Sequence, residues 1–236
     1  MTDGWTQVVR HHVGLGRLLP LGGPGDGAWI AEDAAVAALR RAVAAGMPGV
    51  RLGTLRIALA DPLRTAEPVV PGPPSALPPG PLRVTADFAA TSAEPLPETA
   101  ARLRESLATA AAERLGLVVT EVDLRVTDLL EAESRAPEVR PPRPPSAREA
   151  TAPGEARAAE AALSVAGVVR LTGPGRAVRI EVRADGTAAL VHRHVRVDLA
   201  TDATHRTVEV ARRVRAAVRD ASQDRPTVAV LVTAVG

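Results

Sequence analysis

The chain has 236 residues, 46% hydrophobic and 24% charged, a globular composition long enough for one large or two medium domains. It carries 29 Arg against 27 acidic residues, a formal charge of +2, and no Lys, Cys, Tyr or Asn. Those absences exclude the P-loop lysine, Schiff-base chemistry, thiol nucleophiles, thiolate zinc sites, iron–sulfur clusters and disulfides. Aromatics make up 1%, so the core must be built from Ala, Val and Leu, which bury less area per residue and predict small domains of modest stability.

Residues 5–19 suit a short helix, closed by Pro20 and the Gly22-Gly23-Pro24-Gly25 breaker. Gly14-Leu15-Gly16 lacks the third glycine of a dinucleotide fingerprint, and no strand precedes it. Residues 30–45 follow as a helix with Ile30, Ala34, Leu39 and Val43 on one side, and Trp29 reads as a core anchor. Residues 50–59 read as a strand whose apolar parity changes across Gly53, which predicts a bulge or turn there. Prolines crowd residues 62–81, an exposed loop, before Leu82, Val84 and Ala86 alternate with polar residues in another strand.

The stretch 96–126 has the clearest signal in the chain. Pro97 suits the first helical turn, Glu98 complements the helix dipole, and Leu96, Ala100, Leu103, Leu107, Ala111 and Leu115 form one apolar stripe. Gly116 ends the helix, and residues 118–126 alternate apolar with charged as a half-buried strand does. Beyond it, residues 131–154, with Pro141-Pro142-Arg143-Pro144-Pro145, read as a stiff solvated linker. The order then returns: a helix over 156–163, strands from Gly167 and Val178, a hairpin at Asp185-Gly186 into 190–199, a helix with Val210, Val214 and Val218 inward, and a closing strand from Thr227. The expected fold is therefore α+β in two similar small domains, each helix, two or three strands, helix, strand, with the helices packed on one sheet. Their bounds are 1–30 for an N-terminal extension, 31–130 for the first domain, 131–154 for the linker and 155–236 for the second domain.

Candidate sites are few. His192 and His194 share a strand face, but the adjoining Arg196 disfavours a metal, and with Asp198 they fall on the expected solvent side. His11, His12 and His205 lack a triad partner, and Glu32-Asp33 reads as a dipole complement at a helix start. No catalytic residue, metal or cofactor is assigned. Residues 1–130 carry 12 Arg against 14 acidic residues and residues 155–236 carry 13 against 9, so the basic bias lies in the second half. It concentrates on the last helix in Arg206, Arg212, Arg213, Arg215 and Arg219, the candidate surface for an acidic partner or anionic membrane.

Several of these segments resemble the alkaline shock protein family of the bacterial cell-envelope stress response, as two diverged copies. Leu96-Pro97-Glu98 is similar to its helix-opening triplet, and Gly116-Leu117-Val118-Val119 with Val122-Asp123-Leu124-Arg125-Val126 to its closing segment. Gly167-Val168-Val169 and residues 193–197 resemble its first and third strands, while the second copy lacks the Pro-Glu pair. The resemblance implies a non-enzymatic protein that self-associates into a homo-oligomer and docks on a membrane-anchor partner at the cytoplasmic face. Neither an apolar run of membrane-spanning length nor a charged-then-apolar leader is seen, so the expected location is cytoplasmic, with peripheral attachment to the inner face of the membrane. Apolar closing strands at 117–126 and 228–235 are expected to leave open sheet edges for strand addition. The alternative is a small α/β nucleic-acid-binding module for RNA. Nucleic acid is the less favoured partner, because the Gly-x-x-Gly loop such units use is absent and no aromatic sits in a basic strand platform.

Overall fold

The computed structural model describes residues 16–131, 139–184 and 191–236 and shows an α+β fold, helices packed on two sheets. Short strands β1 (Leu18–Pro20) and β2 (Ala28–Ala31) pair antiparallel across the glycine-rich breaker, which forms a 3₁₀ turn at Pro24–Asp26. The helix expected over 5–19 therefore gives way at its end to strand. Consecutive Leu18 and Leu19 are both buried, the mark of a strand covered on both faces. Trp5, His11 and His12 lie outside the described residues.

Helix α1 (Glu32–Gly46) leads to β3 (Val50–Leu59) and β4 (Leu82–Thr91), antiparallel neighbours whose register shifts between Leu52 and Leu55, where the parity change lies. Helix α2 (Leu96–Thr109) opens on the Pro-Glu turn and runs on through a π-helical turn, Ala110–Leu115. Gly116, at φ 88°, ends it, and the N–H groups of Gly116 and Leu117 both donate to the Ala111 carbonyl at 2.9 Å. Strand β5 (Val119–Leu130) then returns parallel to β4, giving a sheet ordered β3-β4-β5.

The second half contributes α3 (Pro153–Leu163), β6 (Val168–Leu171), β7 (Val178–Ala184), β8 (Val191–Thr201), α4 (Thr207–Asp220) and β9 (Thr227–Val235). Both β6 and β7 pair antiparallel with successive stretches of β8, and β9 lies parallel to β8. The connection at Asp185-Gly186 lies outside the described residues. Both halves thus show a helix, antiparallel pairing, a second helix and a strand parallel to the one before it.

Residues 18–31 are not an extension outside the two halves. Strand β2 pairs parallel with β9, so the larger sheet runs β1-β2-β9-β8-β6. Consequently β9 is internal, and the open edge expected at 228–235 is closed. Eight of its nine residues are buried, which requires cover on both faces. Helix α1 packs on β3 and on β9 together, and one buried cluster extends from Leu18 to Val235. The two halves share a core.

Two loops expected to be solvated also carry contacts. The proline-rich 62–81 loop returns across Trp29, whose indole N–H donates to the Leu77 carbonyl at 3.2 Å, and it buries Val70. Leu63, at its outer end, is 94% exposed. In the linker, residues 139–154 border β6: the N–H of Arg148 donates to Gly175 at 2.7 Å, that of Gly173 to Pro145 at 2.9 Å, and Arg170 to the Pro144 carbonyl at 2.9 Å. Proline removes N–H donors but leaves its carbonyl free to accept, so a proline-rich segment can dock by its oxygens.

Candidate interaction surface

Helix α4 buries Val208, Val210, Ala211, Val214 and Val218, which places its arginines along the rim of that face. Three of the five candidate arginines hold the fold together. Arg212 makes two hydrogen bonds to Asp26, at 2.7 and 3.1 Å, and a third to Glu209 at 2.6 Å. Half-buried Arg215 donates to the carbonyls of Val228 at 2.9 Å, Gly25 at 2.8 Å and Asp26 at 2.5 Å. Arg206 donates to the Ala112 carbonyl in the π-helical turn at 3.2 Å. Arg213, which donates to the Glu209 carbonyl of its own helix at 3.4 Å, and Arg219, 3.8 Å from Asp220, are exposed.

These contacts set the local electrostatics. The hydrogen bond from Arg212 holds the Asp26 carboxyl below its ordinary value against the opposing effect of burial, helped by the Gly23 N–H and the charges of Arg212 and Arg215. Burial pushes the Arg215 guanidinium down, with Asp26 opposing that and Arg219 adding to it. In the turn before α4, burial pushes the Asp202 carboxyl up, but hydrogen bonds from His205 and Thr204, side chain and backbone, outweigh it and hold it at about 2.

The histidine strand also differs from its expected placement. His192 is exposed, but His194 is buried, its Nδ1 2.9 Å from the Thr227 hydroxyl. Asp198 is 1% exposed, between Arg179 at 3.1 Å and Arg196 at 3.4 Å. The expected solvent side is closed over 197–201, where successive residues are buried and Asp198 is paired with Arg179 and Arg196. Glu32 is buried as well. It accepts two hydrogen bonds from Arg17, at 3.1 and 3.2 Å, and one from the Ile57 N–H at 3.0 Å, so it pins α1 to β3 rather than only complementing a dipole. Among the described residues, no three His, Asp or Glu side chains converge as metal ligands.

The three-stranded sheet presents a different kind of surface. Its inner face packs on α1 and α2, and its outer face carries a ladder of opposite charges. Arg83 meets Glu121 at 2.5 Å and Asp123 at 3.5 Å, and Arg125 makes two hydrogen bonds to Asp87, at 2.8 and 3.1 Å. Strand β5 has β4 on one side and no strand beyond it among the described residues. Val126 and Leu129 on it are 42% and 57% exposed. Elsewhere, a cavity of about 380 Å³ lies between the end of α1 and the π-helical turn, lined by Arg102, Glu105, Ser106, Glu113 and Arg114 among others. A second of about 210 Å³ adjoins it at Met47 and Arg102. The first cavity's lining mixes charges of both signs, with Arg102 and Arg114 beside Glu105 and Glu113.

No family model matches the chain, and no curated protein matches it. The Asp26–Arg212 clamp, the Arg215 carbonyl contacts and the cavity had no signal in the sequence, because each joins segments distant along the chain. Strand β5 and its wet face did have one, in the alternation over 118–126.

Proposed function

We propose that the protein is non-enzymatic and acts in the cell-envelope stress response by self-association and by docking on a membrane-anchor partner at the cytoplasmic face. The observation that carries the association is the open β5 edge, a twelve-residue strand with one neighbour among the described residues and with exposed apolar side chains. Unpaired N–H and C=O groups on such an edge pair readily with another chain. The resemblance of Leu96-Pro97-Glu98 and of the segment after Gly116 supplies the stress-response context. In the fold these segments open α2 and form the start of β5. Arg213 and Arg219 add a salt-sensitive attraction to an acidic partner or anionic headgroups, each contributing about 1 kcal/mol near such a surface. No helix among the described residues is long and apolar enough to cross a membrane, so membrane contact on this reading is peripheral.

The test is fractionation of cells with the membrane fraction retained. Part of the protein should sediment with membranes and come off in high salt, and replacing Arg213 and Arg219 with Gln should reduce that part without changing the melting temperature. Protein that stays wholly in the supernatant at low salt, or that is recovered with RNA instead, overturns the reading, and RNA recovery makes the nucleic-acid module the better account.

A further inference from the structure

We propose that β5 pairs antiparallel with β5 of a second copy of this chain, about a twofold axis at Leu124, joining two three-stranded sheets into one of six. This rests on the association reading above and names the surface, the partner and the register. Three features of the strand carry it.

The first is which groups face outward. Arg104, on α2, donates to the Val122 carbonyl at 3.1 Å, reaching over the free side of the strand. Because N–H and C=O groups alternate in direction along a strand, Val122, Leu124 and Val126 turn theirs away from β4, while the intervening residues bond to it. These three lie within a regular stretch: the β4–β5 register shifts near Thr120 and again near Thr127, and Glu121 through Val126 run without interruption. Of the other edges, β3 is interrupted by the irregularity between Leu52 and Leu55, β1 is three residues long, β7 has seven residues, and β6 is bordered by the docked linker.

The second is the register that charge allows. In an antiparallel pair about a twofold axis normal to the sheet, opposed residues share a face, so the axis falls at one residue. Of the five registers centred on residues 121 to 125, four oppose like charges. Centring on Glu121, Asp123 or Arg125 sets that residue against itself, and centring on Val122 sets Glu121 against Asp123. Only the register centred on Leu124 avoids this, and it sets Asp123 against Arg125 twice. On the inner face it sets Leu124 against Leu124 and Val122 against Val126, and these are the residues whose N–H and C=O groups face outward.

The third is continuity with the ladder already present. Within one copy Asp87 binds Arg125, and Asp123 lies beside Arg83. Pairing extends this into an alternating row from Asp87 to Arg125, then to Asp123 of the partner subunit and Arg83 of the partner subunit. Neighbours of opposite sign directly across strands stabilise a sheet, and like signs destabilise it.

The symmetry provides a decisive test in two single variants of the full chain. Asp123→Arg opposes two arginines to two arginines in its homodimer, and Arg125→Asp opposes four carboxylates in the same way, so each should weaken the dimer by about tenfold or more in sedimentation velocity. A mixture of the two variants forms a heterodimer in which both opposed pairs again carry opposite charge, and it should dimerise within about threefold of the unaltered protein. Both side chains are largely exposed, so the fold should hold, as circular dichroism checks. Independently, the chain contains no cysteine, so Leu124→Cys places two thiols at the axis, about 5.5 Å apart at Cα, and oxidation should cross-link the dimer. Oligomers that form unchanged in both charge variants, a mixture that is not restored, or a Leu124→Cys chain that does not cross-link overturn this pairing while leaving association through another surface standing. An unaltered protein that is monomeric at every concentration overturns the self-association itself.

Discussion

Arg215 reaches the carbonyls of Gly25, Asp26 and Val228 from a half-buried position, so one guanidinium ties the turn before β2 to the start of β9. Arg215→Gln removes the fork and strands those acceptors. It should cost about 2 kcal/mol in urea denaturation, whereas Arg213→Gln should stay within about 0.5 kcal/mol. Lysine at 215 should restore only part of the loss, because a point charge cannot span three acceptors with one planar group. Two carboxyls give the acid limb of stability a definite form. Asp26 and Asp202 both titrate below their unfolded value of about 3.9, so their stabilisation is complete above that pH and is lost as pH falls, through about 2 for Asp202. Asp202→Asn should therefore be less stable than the unaltered protein at pH 6, with the gap closing between pH 4 and 2 as melting temperatures are followed down. Helix α4 illustrates how much of this was readable: five arginines were legible as a charged surface, but which of them are structural was not, since Asp26 lies 186 residues from Arg212.

Helix α2 shows what an element can owe to a single residue. Gly116 takes a left-handed conformation to end the π-helical turn, its carbonyl accepts from the Gly22 N–H at 3.0 Å, and a Cβ there would come within 2.3 Å of Val208. Gly116→Ala therefore adds a clash to an unfavourable φ and should destabilise by about 2 kcal/mol or more in a denaturant titration. Val208→Ala in the same chain should recover part of that, so that the two losses together are less than their sum. The stop was readable from the run of helix formers before Gly116; the π-helical turn and its packing against α4 depend on tertiary contacts alone. Strands differ in the same way. Alternation located β5 and its wet face, and the unbroken apolar run of 228–232 marked β9 as buried, but neither pattern specifies a neighbour.

Shared packing among the described residues predicts one cooperative unit. Helix α1 rests on both sheets, β2 completes the sheet of the second half, and Arg41 reaches the Val235 carbonyl at 2.6 Å. Unfolding of the full chain in urea should therefore give a single transition, with tryptophan fluorescence and far-ultraviolet circular dichroism coinciding. Two separated transitions would mean that the halves fold independently. Proteolysis gives a second view: trypsin should be slow at Arg148, whose N–H is bonded to Gly175, compared with Arg64 in the outer part of the 62–81 loop.

By itself the sequence determined the elements, because periodicity, capping residues and breakers act within a few residues of each other. From it came the α1, α2 and α4 helices, the irregularity near Gly53, the Gly116 stop and the α+β class, with Trp29 as a buried anchor. Tertiary structure alone decided how those elements share a core. Strand partners are chosen by which apolar faces and backbone groups remain to be covered, and that choice spans the whole chain. Nothing near residues 28–31 indicates that they lie beside 230–232, or that this neighbour closes the edge expected at the C-terminal strand.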